Sequence, residues 1–203
     1  MITVIDYGAG NIGSVLNMIK HVGGKAEVAR DAEGVLAAQK ILLPGVGSFD
    51  NAMTRLAALG LVEPLKQRAR EGFPFLGICL GMQLLANGSE EGTMAGLGLI
   101  AGKVRRFRFE GQTAALKIPH MGWNRVTPVI PHALTQGLEH DARFYFVHSY
   151  YFDCENPEDV LLQSEYGLSF TSGVQRGNVM GLQFHPEKSH RYGMQLIKNF
   201  VGI

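Results

Sequence analysis

Apolar residues fall into short runs separated by turn-forming residues, and the spacing within the runs changes along the chain. Residues 2–6 (ITVID) form an apolar run of strand length; after a Gly-rich turn, Ile12, Val15, Leu16, Ile19 and Val22 recur at helical spacing. The same alternation continues. Residues 25–29 and 40–43 read as strands, the latter stopped at Pro44, and residues 49–70 read as helical with an interruption at Gly60. Residues 73–78 give a fourth apolar strand that turns at Cys79, after which Met82, Leu84 and Leu85 begin another helix. Strands alternating with helices predict a parallel sheet covered on both faces, because each crossover helix must lie over the sheet.

From about Gly102 the pattern becomes β-rich, with strand-like segments at 103–109, 124–126, 143–152, 160–166, 168–174 and 179–184. Residues 172–178 read as a hairpin connection, and residues 192–200 as a closing helix with Tyr192, Leu196, Ile197 and Phe200 on one face. The pattern contains no linker, repeat or low-complexity segment, so the expectation is a single domain over residues 1–203.

Composition narrows the class. With 46% hydrophobic side chains in 203 residues, the chain encloses a substantial core, which excludes disorder and a coiled coil. Nineteen Lys and Arg against 18 Asp and Glu leave a net charge of +1, with no footprint for a nucleic acid or an anionic membrane. The densest basic run, 103–108, is interleaved with Val104 and Phe107 like a strand. The longest nearly uncharged stretch, 73–86, is broken by Pro74, Gly77 and Gly81 and is shorter than the ~20 residues of a spanning helix. The first residues lack a secretory pattern, and two cysteines make no disulfide framework, so a reducing cytoplasm is expected.

Two Gly-containing turns carry candidate chemistry. Gly8-Ala9-Gly10-Asn11-Ile12-Gly13 is a G-x-G-x-x-G between a strand and a helix, with Asp31 about twenty residues on. It reads either as a dinucleotide fingerprint or as a turn that reverses the chain tightly. Gly77-Ile78-Cys79-Leu80-Gly81 is a nucleophile elbow with sulfur: a buried strand, a sharp turn and a helix whose N-terminus favours a thiolate. Cys154, between Asp153 and Glu155, lacks such a context and reads as an inert thiol.

A thiol nucleophile needs a base and an orienting group. Of seven histidines, only His185 stands at the end of an apolar strand, in His185-Pro186-Glu187. If the segment is extended, residues i and i+2 point the same way, so Glu187 can hold one imidazole nitrogen while the other faces the thiol; Pro186 blocks a helix there. For a tetrahedral oxyanion, the Leu80 N–H is one donor. Pro44-Gly45-Val46-Gly47 is either a strand-ending turn or a loop that presents the Val46 N–H as the second. This chemistry calls for no metal and no cofactor.

These motifs, in this order and over nearly the whole chain, resemble the class I (triad) glutamine amidotransferases. Asp6 to Asn11, Pro119 to Asn124 and His148 to Tyr151 make the chain most similar to the branch that supplies ammonia for imidazole glycerol phosphate formation in histidine biosynthesis. They set it apart from glutaminases serving other synthases. The resemblance implies a flavodoxin-like fold in which Cys79 attacks the side-chain amide of L-glutamine, His185 moves the proton and Glu187 orients His185. It also implies that Gly47, Gln83, Glu91 and the backbone of His148, Ser149 and Tyr150 hold the substrate, with Glu90 as the alternative carboxylate. Finally, it implies a heterodimer with a (β/α)₈-barrel cyclase that receives ammonia through a tunnel and whose ligand switches hydrolysis on by turning the Val46 peptide. Asn11, Met121, Trp123, Asn124, Tyr145 and Lys188 would face that partner. The competing readings are a dinucleotide-binding module and a catalytically silent docking scaffold.

Overall fold

A computed structural model describes residues 1–111, 115–138 and 141–203; His140, one of the seven histidines, lies outside the described residues. In chain order the elements are β1 (Ile2–Ile5), α1 (Ile12–His21), β2 (Ala26–Ala29), α2 (Ala32–Ala37), β3 (Ile41–Gly45), α3 (Phe49–Ala58), α4 (Val62–Arg70), β4 (Phe75–Cys79), α5 (Leu80–Gln83) and β5 (Gly88–Ser89). The second half adds β6 (Gly102–Arg106), β7 (His120–Arg125), β8 (Thr127–Pro128), β9 (Arg143–His148), β10 (Tyr150–Cys154), β11 (Val160–Glu165), β12 (Ser169–Arg176), β13 (Val179–Leu182) and α6 (His190–Gly202). No helix among the described residues is long and apolar enough to cross a membrane.

The main sheet runs β2-β1-β3-β4-β13-β12-β10-β6-β5, with β11 beside β12 and β8 beside β11. From β2 to β13 neighbours are parallel; from β13 through β12 and β10 to β6 they are antiparallel. β13 belongs to both patterns. It returns from the antiparallel half to lie parallel to β4, completing the buried centre of the sheet. One face packs on Val35, Phe49, Leu56 and Leu65 of α2 to α4, and the other on Val15, Ile19, Leu196 and Phe200 of α1 and α6. β7 and β9 form a separate antiparallel ribbon.

Several boundaries differ from the sequence expectation: the strand expected at 124–126 is β7, which begins at His120 to pair along β9, and two others are set by which strands pair. β3 continues through Pro44, because the Ile41 N–H points to the β4 side and strand alternation turns the Pro44 nitrogen toward β1, whose pairing has already ended at Leu42. The expected strand 143–152 is two strands broken at Ser149: β9 pairs with β7, whereas β10 joins the main sheet. The hairpin expected at 172–178 is a tight turn at Gly177 and Asn178, with Gly177 at φ +58° and Asn178 Nδ2 donating to the Ala69 and Phe73 carbonyls.

Candidate functional site

Cys79 ends β4 in a conformation that L-residues rarely adopt, φ +55° and ψ −110°. Buried pairing on both sides of β4 and the start of α5 hold it there, so the side chain leaves the sheet edge at a sharp angle. The glycines of the elbow are required by contact. A Cβ on Gly77 would strike the Gly81 carbonyl, and one on Gly81 would strike the Leu43 carbonyl. Gly45 is constrained in the same way by the Tyr7 hydroxyl and the Gly81 nitrogen. Burial first, and then the nearby Cys79 charge, raise the Tyr7 pKa well above the ordinary phenol range.

β13 delivers the second group. Its register places Leu182 beside Ile78, so three residues later His185 arrives next to Cys79, and the His185 N–H donates to the Tyr145 carbonyl. His185 Nδ1 lies 2.8 Å from Glu187 Oε1, and both side chains are buried. The other nitrogen, Nε2, is buried without a hydrogen bond, and the nearby Cys79 thiol acts on it electrostatically. Burial opposes a charged imidazole here, but the thiol and the carboxylate on either side outweigh it and raise the His185 pKa to about 10. The path to this geometry differs from the sequence expectation. Pro186 to Lys188 form a 3₁₀ turn, with Pro186 at its first position, where a fixed φ favours a helical start. Glu187 therefore reaches back to His185 around a turn and not along an extended strand.

A cavity of about 340 Å³ opens over the thiol, lined by Val46, Gly47, Cys79, Leu80, Gln83, Glu91, His148, Ser149, Tyr150 and His185, with Pro119 and Val147. It gathers the expected nucleophile, base, oxyanion and substrate positions; Glu187 stands behind His185. Glu91 and Glu90 face different ways. Glu91 Oε2 accepts from the Phe49 N–H beside the cavity, whereas the Glu90 carboxylate takes the Arg106 N–H and the Arg108 and Arg105 side chains, which hold its pKa below the usual range. Arg105 also pairs with Asp153, so much of the basic run at 103–108 is matched by acids.

Gln83 is buried and its Nε2 donates to the Tyr150 carbonyl, 3.2 Å, and to Gln183 Oε1, 3.1 Å. Gln183 Nε2 in turn lies 3.9 Å from Cys79 Sγ. Gln183 was not among the expected site residues; its signal is a polar side chain within the apolar run 179–184. His120 was another omission: its imidazole is buried against that of His148. Cys154 is half-buried away from the cavity, and burial, with Asp159 nearby, pushes its thiol up to about 12.

The cavity lining does not include the remaining expected residues. Met121 and Trp123 are 61% and 48% exposed on one face of β7, Trp123 stacks on His190, and the Lys188 ammonium sits 5.5 Å from the Tyr145 ring centroid. Asn124 alternates to the opposite face of β7, where it bonds His120 and the Glu165 carbonyl. Asn11 caps α1 by accepting from the Ser14 N–H. The loop at Gly8 to Gly10 borders Val46 and Gly47, and Arg55 ties it down at the Gly8 carbonyl. Asp31 lies at the N-terminus of α2 and accepts from Gly34. It therefore serves as a helix cap, the structural role of an Asp before a helix.

The glutamine amidotransferase class-I family model matches residues 3–202. The chain is 50% identical over 202 residues to imidazole glycerol phosphate synthase subunit HisH 2 of Methanococcus maripaludis, covering 99% of this chain and 98% of that one. It is 50% identical to subunit HisH of Bdellovibrio bacteriovorus over 204 residues, and 51% identical to subunit HisH 2 of Pseudomonas aeruginosa, with full coverage of both chains in each case. Among solved structures, a chain of PurLQS from Thermotoga maritima superposes with a TM-score of 0.72 at 17% identity, over 99% of this chain and 97% of that one. A likeness at that identity establishes the fold.

Proposed function

Since this chain belongs to the class-I glutamine amidotransferases, we propose that it is the glutaminase subunit of imidazole glycerol phosphate synthase. It hydrolyses L-glutamine to glutamate and ammonia and passes the ammonia to a (β/α)₈-barrel cyclase in histidine biosynthesis. Full-length identity of about half to the HisH subunits supports the pathway and the partner. The observation that carries the chemistry is the buried line from the Cys79 thiol through His185 to Glu187, facing a cavity.

In this reading, the Cys79 thiolate attacks the side-chain amide carbon, and the carbonyl electron pair moves to oxygen to form a tetrahedral oxyanion. Two N–H groups receive that charge. Leu80, at the first position of α5, has an N–H without an intrahelical acceptor, and Val46 supplies the second from the loop after β3. Protonated His185 gives its proton to the departing nitrogen, the C–N bond breaks, and a γ-glutamyl thioester remains on Cys79. His185 then takes a proton from water, the hydroxide adds to the thioester, and the C–S bond breaks to release glutamate and regenerate the thiolate. Glu187 holds the imidazole in register and offsets its charge. Gly47, Gln83, Glu91 and the 148–150 backbone position the substrate on the cavity wall.

Exposed Met121 and Trp123, with Tyr145 and Lys188 beside them, support a partner-covered face. Asn11 at the start of α1 and Asn124 at its inner edge would complete it. Residues 1–203 act as one glutamine amidotransferase domain, a reading supported by the main sheet, which takes strands from both halves. The reaction is assigned to the cytoplasm, where both thiols stay reduced. Glutamate release with and without the cyclase and its ribonucleotide substrate tests the proposal. Strong activity in the complete mixture, absent from Cys79→Ser, is expected; equal activity in that variant overturns the nucleophile.

A further inference from the structure

The buried imidazoles of His120 and His148 take no part in the steps above, yet their hydrogen-bonded line ends on the cavity wall. Asn124 Nδ2 lies 3.2 Å from His120 Nε2, His120 Nδ1 lies 2.9 Å from His148 Nε2, and His148 Nδ1 lies 2.7 Å from the Tyr150 carbonyl oxygen. The carbonyl end fixes every direction. A carbonyl only accepts, so His148 Nδ1 carries hydrogen and its Nε2 accepts from the His120 Nδ1–H, leaving His120 Nε2 to accept from the Asn124 amide. Protonating either ring would set two N–H donors against each other. Burial acts the same way, lowering the His120 pKa to about 4 and the His148 pKa to about 3.

Neighbouring rings keep the line from turning. His120 stacks between Phe146, 4.8 Å between ring centroids, and Tyr166, 4.1 Å. At the other end, the Tyr150 carbonyl also accepts from Gln83 Nε2. The break between β9 and β10 at Ser149, which forms one wall of the cavity, is therefore held from behind by His148 and from the side by Gln83.

We propose that His120 and His148 are positioning residues for glutamine, and that their donor line fixes the 148–150 wall and Gln83 against which the substrate rests. His120 acts only through His148. The inference rests on the glutaminase reading. Because the wall would meet parts of glutamine that do not react, its loss should raise KM more than it lowers kcat.

His120→Phe keeps a ring between Phe146 and Tyr166 and removes both nitrogens, whereas His120→Asn places an amide donor near the position of Nδ1. In the complete complex, His120→Phe should raise the glutamine KM about tenfold with kcat within about threefold of wild type, and His120→Asn should restore KM to within about threefold. An unchanged KM in His120→Phe, whatever its melting temperature, or an Asn variant no better than Phe, overturns the proposal. Should His120→Phe not fold, Asn124→Ala removes the first donor at a half-buried site and should raise KM about threefold; an unchanged KM there overturns it equally. A wild-type complex that releases no glutamate would defeat the glutaminase reading and this inference together. Full wild-type activity with unaltered KM in the variants would defeat this inference alone.

Discussion

Two buried lines of polar side chains flank the same cavity, and each contains histidine, yet their protons are held in opposite ways. His185 sits between a thiol and a carboxylate, and its pKa rises to about 10 despite burial. His120 and His148 bond only to neutral groups (an amide, each other and a carbonyl) among aromatic rings, and the nearby His185 further disfavours charge on His148. Burial then acts almost unopposed and lowers them to about 4 and about 3. The partner, not the depth, decides whether a buried imidazole carries charge. One line is thereby suited to move a proton, and the other to hold a wall still.

The comparison breaks most visibly at the thiol. Cys79→Ser should cut glutamate release by at least about a thousandfold while leaving the melting temperature nearly unchanged, because the exchange is nearly isosteric and removes only the thiolate. On the same line, His185→Ala should cost nearly as much, and Glu187→Gln less, about a hundredfold in kcat, since an amide still accepts from the imidazole but brings no charge. The reverse order, read from kcat, would mean that the two roles have been exchanged.

A smaller effect separates the two lines by pH. His185 is held above its ordinary 6.5, so its contribution to stability is fully present below about pH 6.5 and lost as pH rises toward about 10. For His120 and His148 the sign is opposite: folding keeps them neutral, so their contribution is present above about pH 6.5 and lost as pH falls toward about 4 and 3. Thermal melts across pH should therefore show an acid limb that flattens in His120→Asn and an alkaline limb that flattens in His185→Gln. The smallest effect lies outside both lines. Asp31→Ala removes the cap of α2 and should cost about 1 kcal/mol in a denaturant melt without changing glutamate release.

Much of the catalytic line was legible in the sequence because its groups are local: an elbow between two glycines, and a histidine two residues before a glutamate. The strand–helix alternation through Cys79 was equally readable, since a parallel strand buried on both faces is an unbroken apolar run. Other features depend on distant contacts. Whether Pro44 ends β3 depends on where β1 stops pairing, and the break at Ser149 on β9 leaving the main sheet for β7. The 3₁₀ turn at Pro186 was misread because the same residue that blocks a helix interior can begin one. The second histidine line was invisible because its members lie 28 residues apart and meet only through the β7–β9 register. Gln183 lies within an apolar run, and only the register of β13 against β4 brings it to Cys79.

In the proposed reaction the Cys79 sulfur, beside His185, bonds to the substrate. The most direct measurement is acid quenching of the complete complex during turnover, followed by peptide mass spectrometry for a γ-glutamyl group. The group is expected on the peptide carrying Cys79, and none on the peptide carrying Cys154. Steady glutamate release with Cys79 unmodified at every quench time, or a glutamyl group on another residue, would contradict it.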